Sequence, residues 1–126
     1  MGRELIRTDR APRSPLFSQG VRVGAHVHVS GMTGTDPATG ALAGSTIQEQ
    51  TRQAVANCLA VLAAGGAGYD DVVEVGVLLS DPADFAGLNE EYARLFAADP
   101  PTRSVARLGV ELPGVLVSIR MTAITT

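Results

Sequence analysis

Residues 46–80, TIQEQTRQAVANCLAVLAAGGAGYDDVVEVGVLLS, contain a helix pattern followed by a strand pattern. Over 46–64, side chains recur every three or four positions as one apolar stripe, formed by Ile47, Thr51, Val55, Cys58, Leu59 and Leu62. The β-branched run 72–80 predicts a strand with one face formed by Val73, Val75, Val77 and Leu79. Its other face is also largely apolar, so we expect a central strand that is covered on both sides.

The ends of the helix are marked by residues with strong positional preferences. Ser45 or Thr46 is placed to cap its start, and Glu49 falls in the first turn, where a negative charge is favoured. Gly65 and Gly66 are expected to end it, since glycine accepts the left-handed backbone of a helix terminus.

The flanking segments predict a second helix and further strands. The helix covers 83–97 and has an apolar face formed by Phe85, Leu88, Tyr92, Leu95 and Phe96. Segment 31–45 is dense in glycine, proline, aspartate and threonine and predicts a loop. The remaining strands are predicted at Glu4 to Thr8, 17–23, 26–30, 103–110 and 115–124, the second and third forming a hairpin around Gly24.

Two helices and one sheet in this order predict an α/β fold, a two-layer sandwich with both helices on one face. The alternation of helix and strand in the middle of the chain requires a crossover connection. Part of the sheet should therefore be parallel, and the sheet mixed.

The composition limits the possible functions. A chain of 126 residues predicts one domain, 1–126, and its single cysteine excludes an internal disulfide and makes a cytoplasmic location the default. A net charge of −3 provides no basic surface for nucleic acid and no polybasic membrane anchor. All ten basic residues are arginine, so no side chain can form a lysine Schiff base.

Few residues suggest chemistry by themselves. His26 and His28 share one face of a predicted strand, but two ligands are weak support for a metal, and we expect no metal site. Cys58 lies on the apolar stripe and is expected in the core. Asp70 and Asp71 belong to a turn before a strand. Arg103, at the start of a strand, is placed to aim its planar fork at a carboxylate, although by spacing alone a surface arginine is the simpler interpretation.

Seven segments nevertheless resemble the motifs of one family, in order and at matching spacing. They read FSQG at 17–20, VSG at 29–31, DPATG at 36–40, EQTRQA at 49–54, DDVV at 70–73, NEEY at 89–92 and PPTRS at 100–104, and the resemblance extends over nearly the whole chain, about residues 14–125. Together they resemble the Rid family of reactive-intermediate (enamine/imine) deaminases.

The resemblance implies a chorismate-mutase-like fold and a homotrimer with one cleft at each subunit interface. The relatives hydrolyse 2-imino and enamino acids to 2-oxo acids and ammonia without a metal or an organic cofactor. The expected partner is therefore a small carboxylate substrate, with neither nucleic acid nor membrane involved.

Individual roles follow from matching positions. Arg103 matches the arginine that grips the substrate carboxylate, Gly31 a glycine whose backbone lines the cleft, and Asn89 a helix residue near the site. Ser30 and Ser104 are expected to supply supporting hydroxyls.

Other positions depart from the family pattern. Phe17 stands where a tyrosine is usual, so the phenol hydroxyl is lost, but its ring is still expected to bind substrate. Val105 stands where a cysteine is frequent. Two glutamates of the last strand are replaced by Ser118 and Arg120, which share one strand face. The first of these glutamates is thought to position the attacking water. Ser118 can hold a water but cannot act as a general base, and Arg120 is either a second substrate anchor or a solvated arginine.

The departures leave three functional hypotheses. The first is an imine or enamine deaminase that uses Arg103 as anchor and holds the water with Ser118. The second is a divergent enzyme of the same fold, which tautomerises, cyclises or hydrolyses a tailored intermediate. The third is a non-enzymatic trimer that binds a small ligand.

Overall fold

The computed structural model describes residues 2–126 and shows a six-stranded sheet with two helices. Met1, the first residue of the predicted domain, lies outside the described residues. The elements are β1 (Glu4–Ile6), β2 (Gly20–Val23), β3 (His26–Thr33), α1 (Ile47–Ala64), β4 (Val72–Leu79), α2 (Phe85–Leu95), β5 (Thr102–Arg107) and β6 (Val117–Ile124). Short 3-10 turns at Tyr69–Asp71 and Pro82–Asp84 precede β4 and α2.

The strand order in the sheet is β1-β2-β3-β6-β4-β5. Among the strands of residues 2–126, only β4 and β5 pair in parallel, and every other pair is antiparallel. The prediction of a two-layer α/β sandwich with a mixed sheet is confirmed. The crossover that makes β5 parallel to β4 runs through α2, which is what the helix–strand alternation of the sequence required.

The ends of α1 are capped by side-chain and backbone hydrogen bonds. Thr46, and not Ser45, is the cap: its hydroxyl accepts from the amide of Glu49 at 3.1 Å, and the Glu49 carboxylate accepts from the amide of Thr46 at 3.2 Å. The hydrogen bond from the Thr46 hydroxyl also lowers the pKa of Glu49. At the other end Gly66 has a φ of 84°, a conformation that favours glycine.

The core lies between α1, α2 and one face of the sheet. The apolar stripe of α1 packs on β3 and β6, and the inward residues of β6 alternate with outward ones along the whole strand. The inward set is Val117, Ile119, Met121 and Ala123, each at most 1% exposed. Cys58 is fully buried among them, as predicted, and burial raises the pKa of its thiol.

Two predictions for β4 differ from the structure. Val73 does not join Val75 and Val77 in the core: a bulge between Val72 and Glu74 turns its side chain outward, and it is 41% exposed. The strand is central, but within one chain the helices cover only one of its faces. Leu78, on the other face, remains 38% exposed.

Several boundaries also shift by a few residues. The predicted loop 31–45 loses its first three residues to β3, because they pair with β6. The predicted helix 83–97 ends at Leu95 and begins as a 3-10 turn, where the Asp81 carboxylate accepts from the amide of Ala83. Strands predicted at 103–110 and 115–124 are shorter at the loop between them.

Two buried amide side chains of α1 tether the long loops. Gln50 donates to the carbonyls of Gly44 (3.0 Å) and Gly114 (2.9 Å) and accepts from the amide of Leu116 (2.9 Å). Asn57 donates to the carbonyls of Thr33 and Thr35. These loop backbone groups are thereby hydrogen-bonded to side chains of α1, so the loops are fixed against that helix.

Within residues 2–126, no helix combines the length and the apolar character needed to cross a bilayer.

We expect Gln50→Ala to lower the free energy of unfolding by about 3 kcal/mol, because it leaves one amide and two carbonyls without their partner. Urea unfolding at a fixed protein concentration measures this loss. Gln48→Ala, on the same helix but only half-buried, is the matched control and should stay within about 0.5 kcal/mol. Equal effects of the two substitutions would contradict the tethering role of Gln50.

Candidate active site

Arg103 lies on β5, an edge strand, and its guanidinium is held against α2. Its Nη1 donates to Oδ1 of Asn89 at 2.8 Å. The guanidinium carbon lies 4.8 Å from the ring centre of Tyr92 and 5.9 Å from that of Phe85. A cation over aromatic faces is stabilised by the ring quadrupoles. The structure thus brings together Arg103 and Asn89, two residues of the predicted site that are 14 positions apart.

The guanidinium keeps unused donors. Asn89 takes one of its five N–H groups, and within residues 2–126 no carboxylate lies within salt-bridge distance of Arg103. Arg103 is also exposed at the mouth of a cleft of 610 Å³. A fixed, unpaired and accessible guanidinium can bind a carboxylate through two parallel hydrogen bonds.

The helix that carries Asn89 and Tyr92 is fixed by an ion pair. The carboxylate of Glu91, whose side chain is 4% exposed, receives Nε and Nη2 of Arg52 from α1, each at 3.2 Å. Its neighbour Tyr92 is buried, which raises the pKa of its hydroxyl, while the charge of Arg103 opposes that shift. The position of the Arg103 guanidinium therefore depends on the packing of α2 against α1.

A second cleft, of 220 Å³, lies on the sheet face that the helices leave open. Four of the predicted site residues line it, Gly31, Ser104, Ser118 and Arg120. Ser104 follows Arg103 on β5 and points to the opposite face, because neighbouring strand residues alternate. Within one chain, the side chains of Arg103 and Ser118 therefore lie on opposite faces of the sheet. The two clefts adjoin at this edge strand, where Ala106 lines both.

Gly31 occupies a β-bulge. Ser30 and Gly31 of β3 together oppose Arg120 of β6, between the pairs Val29–Met121 and Met32–Ile119. A Cβ at position 31 would lie 3.0 Å from the Ser118 hydroxyl, closer than ordinary van der Waals contact. The bulge and the missing side chain keep the Ser118 hydroxyl accessible beside the backbone of Gly31.

Arg120 faces this second cleft. Its side chain passes over Gly76, where a Cβ would lie 3.0 Å from Nε, and its Nη1 is 3.8 Å from Oε1 of Glu74. Both partners of this ion pair are more than half exposed, so the attraction is weakened by solvent. Arg120 belongs to the Ser118 cleft and does not share the cleft of Arg103.

Phe17 and Ser30 occupy a third region. Phe17 is 45% exposed and lines a groove with Arg7 and Arg13, apart from both clefts. The Ser30 hydroxyl donates to the carbonyl of Ser18 at 2.6 Å, so its proton is engaged by the backbone. Ser30 thereby holds the segment that carries Phe17 against β3.

The sequence did not predict the aromatic rings beside Arg103, the ion-pair partner of Arg120 or the position of Arg107. Tyr92 and Phe85 were assigned only to the apolar face of the second helix. Arg107 lines the same cleft as Arg103. The available signal was the spacing of these two arginines, which places them on one face of β5.

His26 and His28 are exposed on β3, with stacked rings whose centres lie 6.3 Å apart. Among the described residues, no group of three or more histidine, cysteine, aspartate or glutamate side chains is arranged to hold a metal ion.

Comparison with known proteins assigns this architecture to a family. A family model described as Endoribonuclease L-PSP matches residues 8–125. A solved structure from Yersinia pestis, described as a protein of unknown function of the conserved Rid family, superposes with a TM-score of 0.91 at 28% sequence identity, and the match covers 98% of this chain and 100% of that one. The chain belongs to the Rid family.

Two curated relatives cover almost the whole chain. A RutC family protein of Saccharolobus solfataricus is 40% identical over 123 residues, which are 96% of this chain and 97% of the relative. A Mus musculus protein named 2-iminobutanoate/2-iminopropanoate deaminase is 33% identical over 123 residues, 97% of this chain and 91% of the relative. The family resemblance of the sequence motifs and its chorismate-mutase-like fold are confirmed.

Proposed function

We propose that this Rid protein hydrolyses 2-imino and enamino acids to 2-oxo acids and ammonia. The observation that carries the proposal is the Arg103 guanidinium, which is fixed by Asn89 and Tyr92 and has no carboxylate partner within the described residues. The name of the mouse relative, an imine deaminase, supports the reaction class. The proposed reaction is a direct attack by water and requires no covalent nucleophile. This is consistent with a chain that has no lysine and whose lone cysteine is buried.

The proposed chemistry is addition of water followed by loss of ammonia. Arg103 binds the carboxylate of the substrate and so fixes the neighbouring C=N carbon. Water adds to this carbon while its proton passes to the imine nitrogen, and the C–N bond of the resulting carbinolamine breaks to release ammonia and the 2-oxo acid. The Ser118 hydroxyl and the backbone of Gly31 are proposed to hold the attacking water, with Ser104 beside them.

The proposed active form is a homotrimer. In one chain Arg103 and Ser118 lie on opposite sides of β5, and one whole sheet face is open. A neighbouring chain that covers that face and extends past the β5 edge would bring its own Gly31 and Ser118 towards Arg103 and complete the site. We propose a cytoplasmic location, because the free thiol of Cys58 is compatible with a reducing compartment.

A divergent reaction in the same cleft is the alternative. The observation that favours it is the pair Ser118 and Arg120, a hydroxyl and a guanidinium in one cleft where the family motif has two glutamates. A cleft with this charge suits a dianionic or larger acid, a tailored intermediate that the enzyme would tautomerise, cyclise or hydrolyse. With a net charge of −3 and few aromatic residues, we do not propose a nucleic acid substrate.

We expect Arg103→Ala to abolish turnover, because the substrate carboxylate loses its anchor. The measurement is the release of ammonia and 2-oxo acid from freshly generated 2-imino acids of small and large side chain. Arg94→Ala, an exposed arginine of α2, is the control and should retain the wild-type rate. Equal rates for Arg103→Ala and wild type would refute the anchor, and no acceleration by the wild type on any imine would favour the divergent enzyme or a binding protein.

We expect Ser118→Glu to increase the deaminase kcat by about tenfold or more, since a positioned general base contributes roughly 10²–10⁴ in rate. Ser118→Gln matches the size of glutamate without its basicity and should give no such gain. A rate for Ser118→Glu that does not exceed that of Ser118→Gln would show that a missing base is not what limits turnover.

The trimer predicts a mass in solution of about three times the 13.0 kDa of the chain. Light scattering across a range of protein concentrations measures it. A mass near that of one chain at all concentrations would refute the shared site.

A further inference from the structure

Arg107 shares a cleft with Arg103 and has no role in the reaction proposed above. Both arginines lie on the same face of β5, four residues apart, with the half-buried Val105 between them. Apart from the two arginines, the cleft of 610 Å³ has mainly apolar walls, which include Leu79, Pro82 and Phe85. It therefore has a cation at each end and a hydrocarbon surface between them.

Neither cation is neutralised by the protein. No carboxylate within residues 2–126 lies within salt-bridge distance of Arg103 or of Arg107. Arg120, by contrast, has Glu74 as partner and lies on the other face of the sheet. Two exposed guanidiniums in one apolar-walled cleft are matched by a ligand that brings two negative charges.

The spacing of the two arginines suits a short diacid as the bridge. Four steps along a strand separate the two Cα atoms by about 13 Å. A carboxylate that is bound through two parallel hydrogen bonds, each of roughly 2.8 Å, occupies the fork of one arginine. A short diacid offers a separate carboxylate to each fork and places its methylene groups against Val105.

We propose that the Arg103 cleft selects short dicarboxylic acids, and that the substrates of this protein are 2-imino acids with a second carboxylate on the side chain. Arg107 is the specificity-determining residue: it binds the distal carboxylate while Arg103 binds the one next to the imine. The assignment of an imine substrate rests on the proposed deaminase function; the preference for a diacid rests on the two arginines alone.

The test compares imino acids generated in situ from aspartate and glutamate with those from alanine and leucine. We expect wild type to have a kcat/KM about tenfold or more higher for the dicarboxylates. Arg107→Gln should remove this preference mainly through a higher KM for the dicarboxylate imines, with a much smaller effect on the monocarboxylate imines. Arg10→Gln, which makes the same change in net charge at an exposed site outside both clefts, should leave every rate at the wild-type value.

Arg107→Lys keeps the charge but not the planar fork, and should restore part of the preference. A similar effect of Arg107→Gln on both classes of imine, or on neither, would overturn the proposal while Arg103-dependent turnover still supported the deaminase.

Binding supplies a measurement that does not depend on turnover. Calorimetry should show the 2-oxo dicarboxylates binding about tenfold or more tightly than the 2-oxo monocarboxylates, and Arg107→Gln should abolish the difference. Equal binding of the two classes would refute the diacid cleft. Arg107-dependent binding of diacids without turnover of any imine would support the diacid cleft and refute the deaminase.

Discussion

The packing of α1 and α2 on a single face of the sheet is the constraint from which the other features follow. Within residues 2–126 the buried apolar side chains form one cluster, and β6 contributes to it by alternating buried and outward side chains along its length. The opposite face is left to Ser118, Arg120 and Thr122, together with His26 and His28 of β3. The open face thus carries the Ser118 cleft, while the Arg103 cleft lies on the helix side of the edge strand β5.

The charge of the site is set by arginines. Arg103, Arg107 and Arg120 each place a guanidinium at one of the two clefts. Glu74 is the only carboxylate within 4 Å of any of these three arginines among residues 2–126. On the last strand, Ser118 and Arg120 present a hydroxyl and a guanidinium to the same cleft. The local field therefore attracts anions, although the net charge of the whole chain is negative.

The strong local signals of the sequence predicted most of the fold. The cap of α1 and the β-branched run of β4 need no distant partner to be recognised, and both were located to within one residue. The bulge at Val73 and the extension of β3 through Gly31 depend on pairing with β6, which is distant in sequence, so local patterns could not reveal them. The prediction of a loop at the start of segment 31–45 rested on amino-acid composition alone.

The same distinction applies to the site. The proximity of Arg103 and Asn89 came from the family resemblance, because spacing alone favoured a surface arginine. The alternation of side chains along a strand placed Ser118 and Arg120 on one face of the sheet. Their separation from Arg103 depends on the face to which the Arg103 side chain points from β5. Tyr92 was recognised only as a helix residue of the core, since its contact with the guanidinium requires the crossover geometry.

The position of Cys58 has a practical consequence. Its sulfur is fully buried and lies 3.2 Å from the carbonyl oxygen of Ile119, between α1 and the central sheet. A thiol-reactive dye can label it only after the helix layer separates from the strands. The rate of labelling therefore measures how often the helix layer separates from the strands, and no probe has to be added to the chain. The folded protein is also protected from oxidative cross-linking between copies, since its one thiol is inaccessible.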